Sequence, residues 1–254
     1  MPSYQTEELT FDNGRGDRLA ARLEQVKGDR RGVALFAPCF TCGKDYIAAV
    51  RIARRLAGHG IATLRLDFTG LGDSEGDFGK AGFSDHVEDL VAAASFLESR
   101  GDGPALLVGH SLGGAAVIAA GPRIGSAKAV VTIGAPFDVE HVLEHFGPAL
   151  ERIEAEGEAD VKLAGREFQV SKEFLAETRG HDQAARLAEL GCALLILHAP
   201  TDEVVGIDNA GEIFQAAKHP KSFVSLDGAD HLLTKATDVD YAADVIAAWA
   251  SRWL

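Results

Sequence analysis

One serine of this sequence lies in a pattern that could make it a nucleophile. Gly109-His110-Ser111-Leu112-Gly113 reads G-x-S-x-G, and Gly114 follows it. The apolar run at 104–108 is typical of a buried strand, and the small residues at 113–120 are typical of a helix packed closely on a sheet. The flanking glycines suit a sharp turn, because a Cβ there would collide with the neighbouring backbone. The pattern therefore predicts a nucleophile elbow with Ser111 at its tip.

A serine hydroxyl becomes a strong nucleophile only when a base takes its proton and a carboxylate orients that base. Among nine histidines, His231 is the one that follows the last core strand in a glycine-rich turn. Asp202 follows the preceding strand, which completes the order Ser, Asp, His. Asp138 is the alternative acid, and we expect His198 to be a buried, hydrogen-bonded residue rather than the base. The predicted catalytic residues are Ser111, Asp202 and His231.

Attack on a carbonyl creates an oxyanion, which needs two N–H donors. Leu112, directly after the nucleophile, is expected to supply one of them. The loop after the apolar run at 32–37 is expected to supply the other, and Phe40 is the predicted donor. The predicted oxyanion hole therefore consists of the main-chain N–H groups of Phe40 and Leu112.

Strand-like and helix-like segments alternate along most of the chain. Apolar runs at 32–37, 61–68, 127–136, 193–199 and 222–226 predict strands in addition to the elbow strand, and helical patterns cover about 44–58, 83–99, 208–218 and 238–254. Residues 4–11 and 18–26 flank a turn and predict a hairpin. This alternation predicts an α/β fold with a mostly parallel, eight-stranded sheet flanked by helices, in which active residues gather at the carboxyl ends of the strands.

The alternation stops between residues 137 and 191. Residues 161–164 and 167–170 flank Gly165-Arg166, and a two-residue turn there would pair Leu163 with Phe168 and Val161 with Val170. Residues 174–190 are predicted to be helical. We interpret 137–191 as an inserted cap, and 1–136 with 192–254 as the α/β core.

Three cap phenylalanines are candidates to line an apolar pocket for an acyl or aryl group: Phe146, Phe168 and Phe174. The alternative is that they only pack the cap against the core.

Composition limits the class of protein. The 254 residues, 46% of them hydrophobic, can form one α/β domain with an insert. A net charge of −13 argues against a nucleic-acid or anionic-membrane partner, and a small molecule is the expected partner. The N-terminus lacks the pattern of a signal peptide, and no apolar run approaches the ~18 residues of a membrane helix. We therefore expect a cytoplasmic protein.

The sequence predicts no metal or organic cofactor. Cys39 and Cys42 have the spacing of a redox or metal pair, but no second pair lies at zinc spacing, and three cysteines are more typical of reduced thiols than of a disulfide framework. The loop Gly70-x-Gly72-x-x-x-Gly76 departs from G-x-G-x-x-G, so it does not predict a dinucleotide site.

Taken together, the motifs resemble those of a known superfamily. These motifs are Ala37-Pro38-Cys39-Phe40, the loop DFTGLGDSEG at 67–76, GHSLGG at 109–114, Asp202, and Gly228-Ala229-Asp230-His231. The chain resembles the serine hydrolases of the α/β-hydrolase superfamily. It is most similar to the hydrolase half of bacterial proteins with a C-terminal OsmC-like peroxidase domain, a domain not expected here. It is more loosely similar to cinnamoyl and feruloyl esterases, which also carry a cap before the strand that delivers the acid.

This resemblance implies hydrolysis of carboxylic esters through an acyl-enzyme. A thioesterase or small-peptide hydrolase with the same triad is an alternative, and so is a non-catalytic ligand-binding protein on the same scaffold. The sequence departs from the superfamily at Pro38, where a histidine is usual. Because proline lacks an N–H and restricts φ, we expect the hydrogen bonding of this loop to differ.

Overall fold

A computed structural model describes residues 4–163 and 166–254 of the chain. Its centre is an eight-stranded sheet. The strands of this sheet are β1 (Tyr4–Asp12), β2 (Arg18–Val26), β3 (Gly32–Ala37), β4 (Ile61–Leu66), β5 (Leu106–His110), β6 (Ala129–Ile133), β9 (Ala193–His198) and β10 (Lys221–Ser225). They lie side by side in the order β1-β2-β4-β3-β5-β6-β9-β10. Strands β1 and β2 form the predicted antiparallel hairpin, β2 pairs antiparallel with β4, and the remaining pairs are parallel.

Helices cover both faces of the sheet. They are α1 (Ile47–Gly58), α2 (Phe83–Ser99), α3 (Leu112–Ala120), α4 (Ala149–Glu156), α5 (Lys172–Thr178), α6 (Gln183–Glu189), α7 (Asp208–Ala216) and α8 (Ala236–Ala250). Side chains of α1 and α8 share one apolar cluster with one face of the sheet, and those of α2, α3, α6 and α7 share the other. Every residue of β4, β5, β6 and β9 is buried, as expected for parallel strands covered on both sides.

The chain between β6 and β9 forms a separate group of elements. It contains a 3₁₀ helix at Val139–Phe146, α4, the strands β7 (Glu158–Leu163) and β8 (Arg166–Ser171), and then α5 and α6. The prediction of one helix over 174–190 was wrong. Gly180 has a φ of 75°, and the Asp182 carboxylate caps α6 by accepting a hydrogen bond from Ala185 N at 2.8 Å. The division of the chain into core and cap remains a prediction.

Strands β7 and β8 form the expected small hairpin, but in a different register. Val161 pairs with Phe168 and Leu163 with Arg166, whereas the sequence suggested Val170 and Phe168 as their partners. The shift is two residues, so the same side chains stay on the same face and Val161, Leu163 and Val170 remain buried. Of the predicted turn, Gly165 lies outside the described residues, and Arg166 begins β8.

Hydrophobic helices of the length needed to cross a membrane do not occur in the described part of the chain.

Candidate active site

Ser111 lies on a strained turn between β5 and α3. Its φ of 55° and ψ of −126° are rare for a residue with a side chain, and its N–H donates to Ile133 O at 2.8 Å. A Cβ on Gly109 would overlap the backbone of Gly113. Only glycine allows the strand and the helix to approach so closely, so the local sequence specifies this turn.

The structure brings Ser111, His231 and Asp202 together, although 120 residues separate the serine from the histidine. His231 Nε2 lies 3.0 Å from Ser111 Oγ, and His231 Nδ1 lies 2.7 Å from Asp202 Oδ2. All three residues are at least nine-tenths buried. The side chains converge because β5, β9 and β10 are parallel neighbours or near neighbours, and each residue follows the carboxyl end of one of these strands.

Hydrogen bonds at Asp202 determine which nitrogen of His231 carries the proton. Burial opposes ionisation of Asp202, but hydrogen bonds from His231 and from the N–H groups of Val205 and Val204 hold its pKa below the usual value. The ionised carboxylate only accepts hydrogen bonds, so His231 Nδ1–H donates to it. Nε2 is then left to accept the proton of Ser111 Oγ, which is the arrangement that general-base catalysis requires.

Two further histidines lie next to this group, but neither is placed to act as the base instead of His231. His198 Nε2 donates to Val205 O at 2.8 Å and lies 3.8 Å from Asp202 Oδ2, too far for a hydrogen bond. His110 Nε2 donates to the main-chain carbonyl of His231 at 2.7 Å, and burial lowers the pKa of His110 to about 4. His110 is therefore a neutral donor, a role that its position within the elbow motif did not reveal.

The alternative acid, Asp138, lies elsewhere. Its side chain is exposed and accepts a hydrogen bond from Glu140 N at 2.9 Å, which caps the 3₁₀ helix at Val139–Phe146.

The predicted oxyanion donors lie on opposite sides of one close contact. A Cβ on Gly113 would overlap the carbonyl oxygens of Ala37 and Pro38, so the start of α3 packs directly against the loop after β3. Within the described chain, neither Phe40 N–H nor Leu112 N–H donates to another protein group. Both N–H groups therefore lack a protein acceptor among the described residues, as their predicted role requires, and Pro38 contributes its carbonyl to the packing.

A buried ion pair anchors the other end of this loop. Lys44 Nζ donates to Asp67 Oδ2 at 2.7 Å and to Asp73 Oδ2 at 2.6 Å, and Lys44 N donates to Asp67 Oδ1 at 2.5 Å. Burial opposes the charge on Lys44, but these carboxylates raise its pKa above the usual value. Gly72 has a φ of 56° and leaves no room for a side chain beside the Asp67 carboxylate. The glycine-rich loop therefore wraps a protein carboxylate, a role that the sequence analysis missed although Asp67 follows the end of β4.

The expectation of reduced thiols was wrong for two of the three cysteines. Cys39 and Cys42 form a disulfide, with their Cα atoms 5.1 Å apart, and Cys192 is free. Their spacing was visible in the sequence, but spacing alone does not show whether the two Cα atoms approach closely enough to be bridged. The disulfide lies beside Phe40, the predicted oxyanion donor.

A cleft of about 840 Å³ opens in front of Ser111. It is lined by Cys39, Phe40, Thr41, Cys42, Gly43, Lys44, Asp45, Tyr46, Asp67, Gly72, Asp73, Ser111, His145, Lys162, Leu163, Arg166, Val204, His231 and Leu232. It is large enough for a small organic substrate. Its walls combine the loop after β3, one end of the β7–β8 hairpin and the loop that carries His231.

The three phenylalanines proposed as pocket residues are not among the residues lining this cleft. Phe146 and Phe174 are almost fully buried, and their rings pack around Phe40 at centroid distances of 6.4 Å each. Phe168 packs on Phe78 at 4.5 Å. The structure therefore favours the alternative, in which these aromatic rings pack the inserted segment against the core, and two of them also pack against Phe40 in the loop after β3.

No group of three or more His, Cys, Asp or Glu side chains within 4–163 and 166–254 is arranged to hold a metal ion.

Comparison with known proteins agrees with this fold. The family model described as "Serine aminopeptidase, S33" matches residues 42–156. The crystal structure of the esterase domain from a Rhodothermus marinus protein is 47% identical in sequence, covers 98% of this chain and 99% of its own, and superposes with a TM-score of 0.80. The chain belongs to the α/β-hydrolase superfamily, as its motifs predicted, and the eight-stranded α/β-hydrolase fold is confirmed.

More distant similarities extend over most of the chain. The mouse mitochondrial palmitoyl-protein thioesterase ABHD10 is 25% identical over 242 residues, which is 92% of this chain and 80% of that protein. The structure of Est1E from Butyrivibrio proteoclasticus with bound ferulic acid has a TM-score of 0.83 at 19% identity, covering 96% of this chain and 98% of its own. At that identity the second similarity concerns the fold alone.

Proposed function

We propose that this protein is a serine hydrolase that cleaves small carboxylic esters, with Ser111 as the nucleophile. The observation that carries the proposal is the hydrogen-bonded series from Ser111 Oγ through His231 to Asp202, with distances of 3.0 and 2.7 Å, at the edge of an open cleft. A binding protein on this scaffold would have no need for such a series.

The proposed reaction follows from the protonation states of these groups. His231 Nε2 takes the proton of Ser111 Oγ as the oxygen attacks the ester carbonyl, and Asp202 stabilises the imidazolium that forms. The N–H groups of Phe40 and Leu112 donate to the oxyanion. His231 then gives its proton to the departing alcohol, which leaves an acyl group on Ser111. Water activated by His231 hydrolyses this acyl-enzyme and regenerates the serine.

Ester substrates are favoured over the alternatives by the most similar of the proteins reported above. The Rhodothermus marinus domain is described as an esterase, and its identity of 47% extends over nearly the whole chain. A thioesterase is the second candidate, because the mouse relative is named as a palmitoyl-protein thioesterase. Both reactions proceed through the same acyl-enzyme, and they differ in the leaving group.

The decisive experiment compares wild type with Ser111→Ala on p-nitrophenyl esters from acetate to octanoate and on a ferulate ester. We expect wild type to hydrolyse the shorter esters, and Ser111→Ala to lower kcat by about 10⁴-fold or more. The half-buried Ser126→Ala variant is the control and should retain wild-type activity, because Ser126 lies in a turn and is not among the residues that line the cleft. Equal activity of Ser111→Ala and wild type would contradict the proposal.

Matched substrates separate the two candidates. An ester and a thioester with the same acyl group are compared by kcat/KM, and a preference for the thioester of more than about tenfold, or 1.4 kcal/mol, would favour the thioesterase. An amide of the same acyl group tests the small-peptide hydrolase in the same assay.

A cytoplasmic location and a small-molecule partner remain predictions from the sequence. Cell fractionation with an antibody against the protein tests the first of them.

A further inference from the structure

The Cys39–Cys42 disulfide lies in the loop that carries Phe40, the predicted oxyanion donor, and this loop lines the cleft. We propose that this disulfide is a redox-active pair, and that its reduction by a dithiol slows ester hydrolysis at Ser111. This inference uses the proposed esterase function as its readout. It assigns to the two cysteines a chemistry that the hydrolytic reaction does not use.

Both cysteines line the same cleft as Ser111, but they are not equally accessible. Cys39 is 4% exposed, whereas Cys42 is partly exposed. A small thiol that enters the cleft therefore reaches the sulfur of Cys42 first. Access is a precondition for thiol–disulfide exchange, so a disulfide buried in the core would lack this property.

The two ends of the loop are held by contacts that do not involve the disulfide. Upstream, the carbonyl groups of Ala37 and Pro38 pack against Gly113, where a side chain would not fit. Downstream, the main chain and side chain of Lys44 bind Asp67 at 2.5 and 2.7 Å. Reduction should therefore change the turn between these anchors and leave the fold intact.

The conformation of the turn at residues 39–42 depends on the links between its two ends. Thr41 has a φ of 62°, a left-handed conformation that is unfavourable for a β-branched residue by about 1–3 kcal/mol. Two links close the turn around it, the disulfide and the hydrogen bond from Cys42 N to Cys39 O at 3.0 Å. With the disulfide reduced, the hydrogen bond is the one of these two links that remains across the turn. Relaxation at Thr41 would rotate the adjacent peptide units and redirect the Phe40 N–H.

The redox step is a two-electron exchange. A thiolate of the dithiol attacks the Cys42 sulfur, the bond between the two cysteine sulfurs breaks, and Cys39 leaves as a thiolate. The second thiol of the reductant then attacks the mixed disulfide and releases the Cys42 thiolate, while the reductant becomes a cyclic disulfide. Both cysteine thiolates take up protons from water. An oxidised dithiol returns the pair to the disulfide by the reverse steps.

The size of the expected effect follows from the role of the donor. Deleting one oxyanion donor lowers kcat by about 10²- to 10³-fold, and misplacing one should have a smaller effect. We expect the reduced protein to have a kcat about tenfold lower, with KM changed less than about twofold, because the oxyanion forms only during the reaction.

The experiment uses a Cys192→Ser background, so that the loop pair supplies every thiol of the 254-residue chain. Cys192 lies outside the cleft, so this variant should retain wild-type kcat. The protein is equilibrated with mixtures of reduced and oxidised dithiothreitol, freed of reagent under anaerobic conditions and assayed with p-nitrophenyl butyrate. Alkylation followed by mass measurement gives the fraction reduced, and circular dichroism checks that the fold is retained.

The proposal predicts that kcat falls in proportion to the fraction reduced and recovers on reoxidation. The Cys39→Ser/Cys42→Ser variant should show the kcat of the reduced protein and no response to dithiothreitol. If the enzyme is active and its kcat differs by less than twofold between the oxidised and reduced states, this inference is overturned but the proposed function is not. The same holds if dithiothreitol cannot reduce the disulfide in the folded protein. Absence of ester hydrolysis in both states would overturn the proposed function and this inference with it.

Discussion

His110 Nε2 donates a hydrogen bond of 2.7 Å to the main-chain carbonyl oxygen of His231. The residue before the proposed nucleophile therefore holds the peptide that carries the proposed base. The two rings lie with their centroids 5.3 Å apart, so the contact is direct. Its consequence is that the elbow and the loop after β10 are positioned relative to each other by one buried donor as well as by the sheet.

Substitutions of His110 should show whether this residue positions His231 or only packs beside it. His110→Phe removes the donor and leaves the buried His231 carbonyl without its partner, which costs about 1–3 kcal/mol in the free energy of unfolding. We expect kcat to fall about tenfold, because His231 loses part of its orientation. His110→Gln retains an N–H donor and should recover much of the activity. Urea unfolding and kcat with p-nitrophenyl butyrate measure both effects, and an unchanged kcat in His110→Phe would refute the positioning role.

His86 should make the protein sensitive to mild acid. Burial lowers the pKa of His86 from 6.5 to about 4, and its Nε2 is buried without a hydrogen-bond partner among the described residues. Between these two pH values the unfolded chain binds a proton at His86 that the folded protein does not, so stability falls as the pH decreases from 6.5 toward 4. The expected contribution between pH 7 and pH 5 is about 2 kcal/mol.

The His86→Phe variant tests this contribution. Phenylalanine can occupy the same site, where the His86 ring stacks on Phe68 at 4.5 Å, and it does not titrate. The difference in the free energy of unfolding between pH 7 and pH 5 should be smaller in the variant by about 2 kcal/mol. Parallel pH profiles for the two proteins would show that His86 does not carry the effect.

Lys44 should stabilise the oxyanion loop through Asp67. Lys44→Met leaves the Asp67 carboxylate buried and unpaired, so we expect a loss of about 3–5 kcal/mol in the free energy of unfolding. We also expect a lower kcat, because the loop loses one anchor. Asp73→Asn is the matched control, since the Asp73 side chain is 74% exposed and its contribution should be small. Thermal unfolding and ester hydrolysis of both variants provide the comparison, and equal losses in both would contradict the assignment to Asp67.

Gly113 should be intolerant of a methyl group. Gly113→Ala would place its Cβ against the carbonyl oxygens of Ala37 and Pro38 and push the oxyanion loop away from α3. We expect kcat to fall by about 10²-fold, close to the loss of one oxyanion donor. Gly125→Ala is the control, because a Cβ there meets nothing within 4 Å. If Gly113→Ala were as active as Gly125→Ala, the loop would not depend on this contact.

Much of the fold could be predicted from local patterns. The G-x-S-x-G motif specifies the turn at Ser111, since its glycines sit where the backbone segments touch. Apolar runs and helical periodicity located the strands and most helices, because burial on two faces or one imposes these patterns on the sequence. The sequence also showed that each triad candidate follows a predicted strand and that the three occur in the order Ser111, Asp202, His231. Local patterns failed at Gly180, where a capped break divides a continuous helical periodicity.

Contacts between distant segments were decided by the tertiary structure. The sequence could name Ser111, Asp202 and His231 as candidates, but only the packed sheet brings their side chains within 3.0 Å of one another in series. The apolar character of Phe146, Phe168 and Phe174 made them candidates for pocket residues, but it did not show which surface their rings contact.

By itself, the sequence determined the α/β class and the elbow turn, and it named Ser111, Asp202 and His231 as candidates for serine chemistry. The strand and helix patterns and the turn follow from interactions among residues close in the chain, which a sequence displays directly. The tertiary structure decided the pairing of Lys44 with Asp67 and the donation from His110 to His231. Each of these depends on how separate loops pack at one edge of the sheet, and that packing is a property of the whole folded chain.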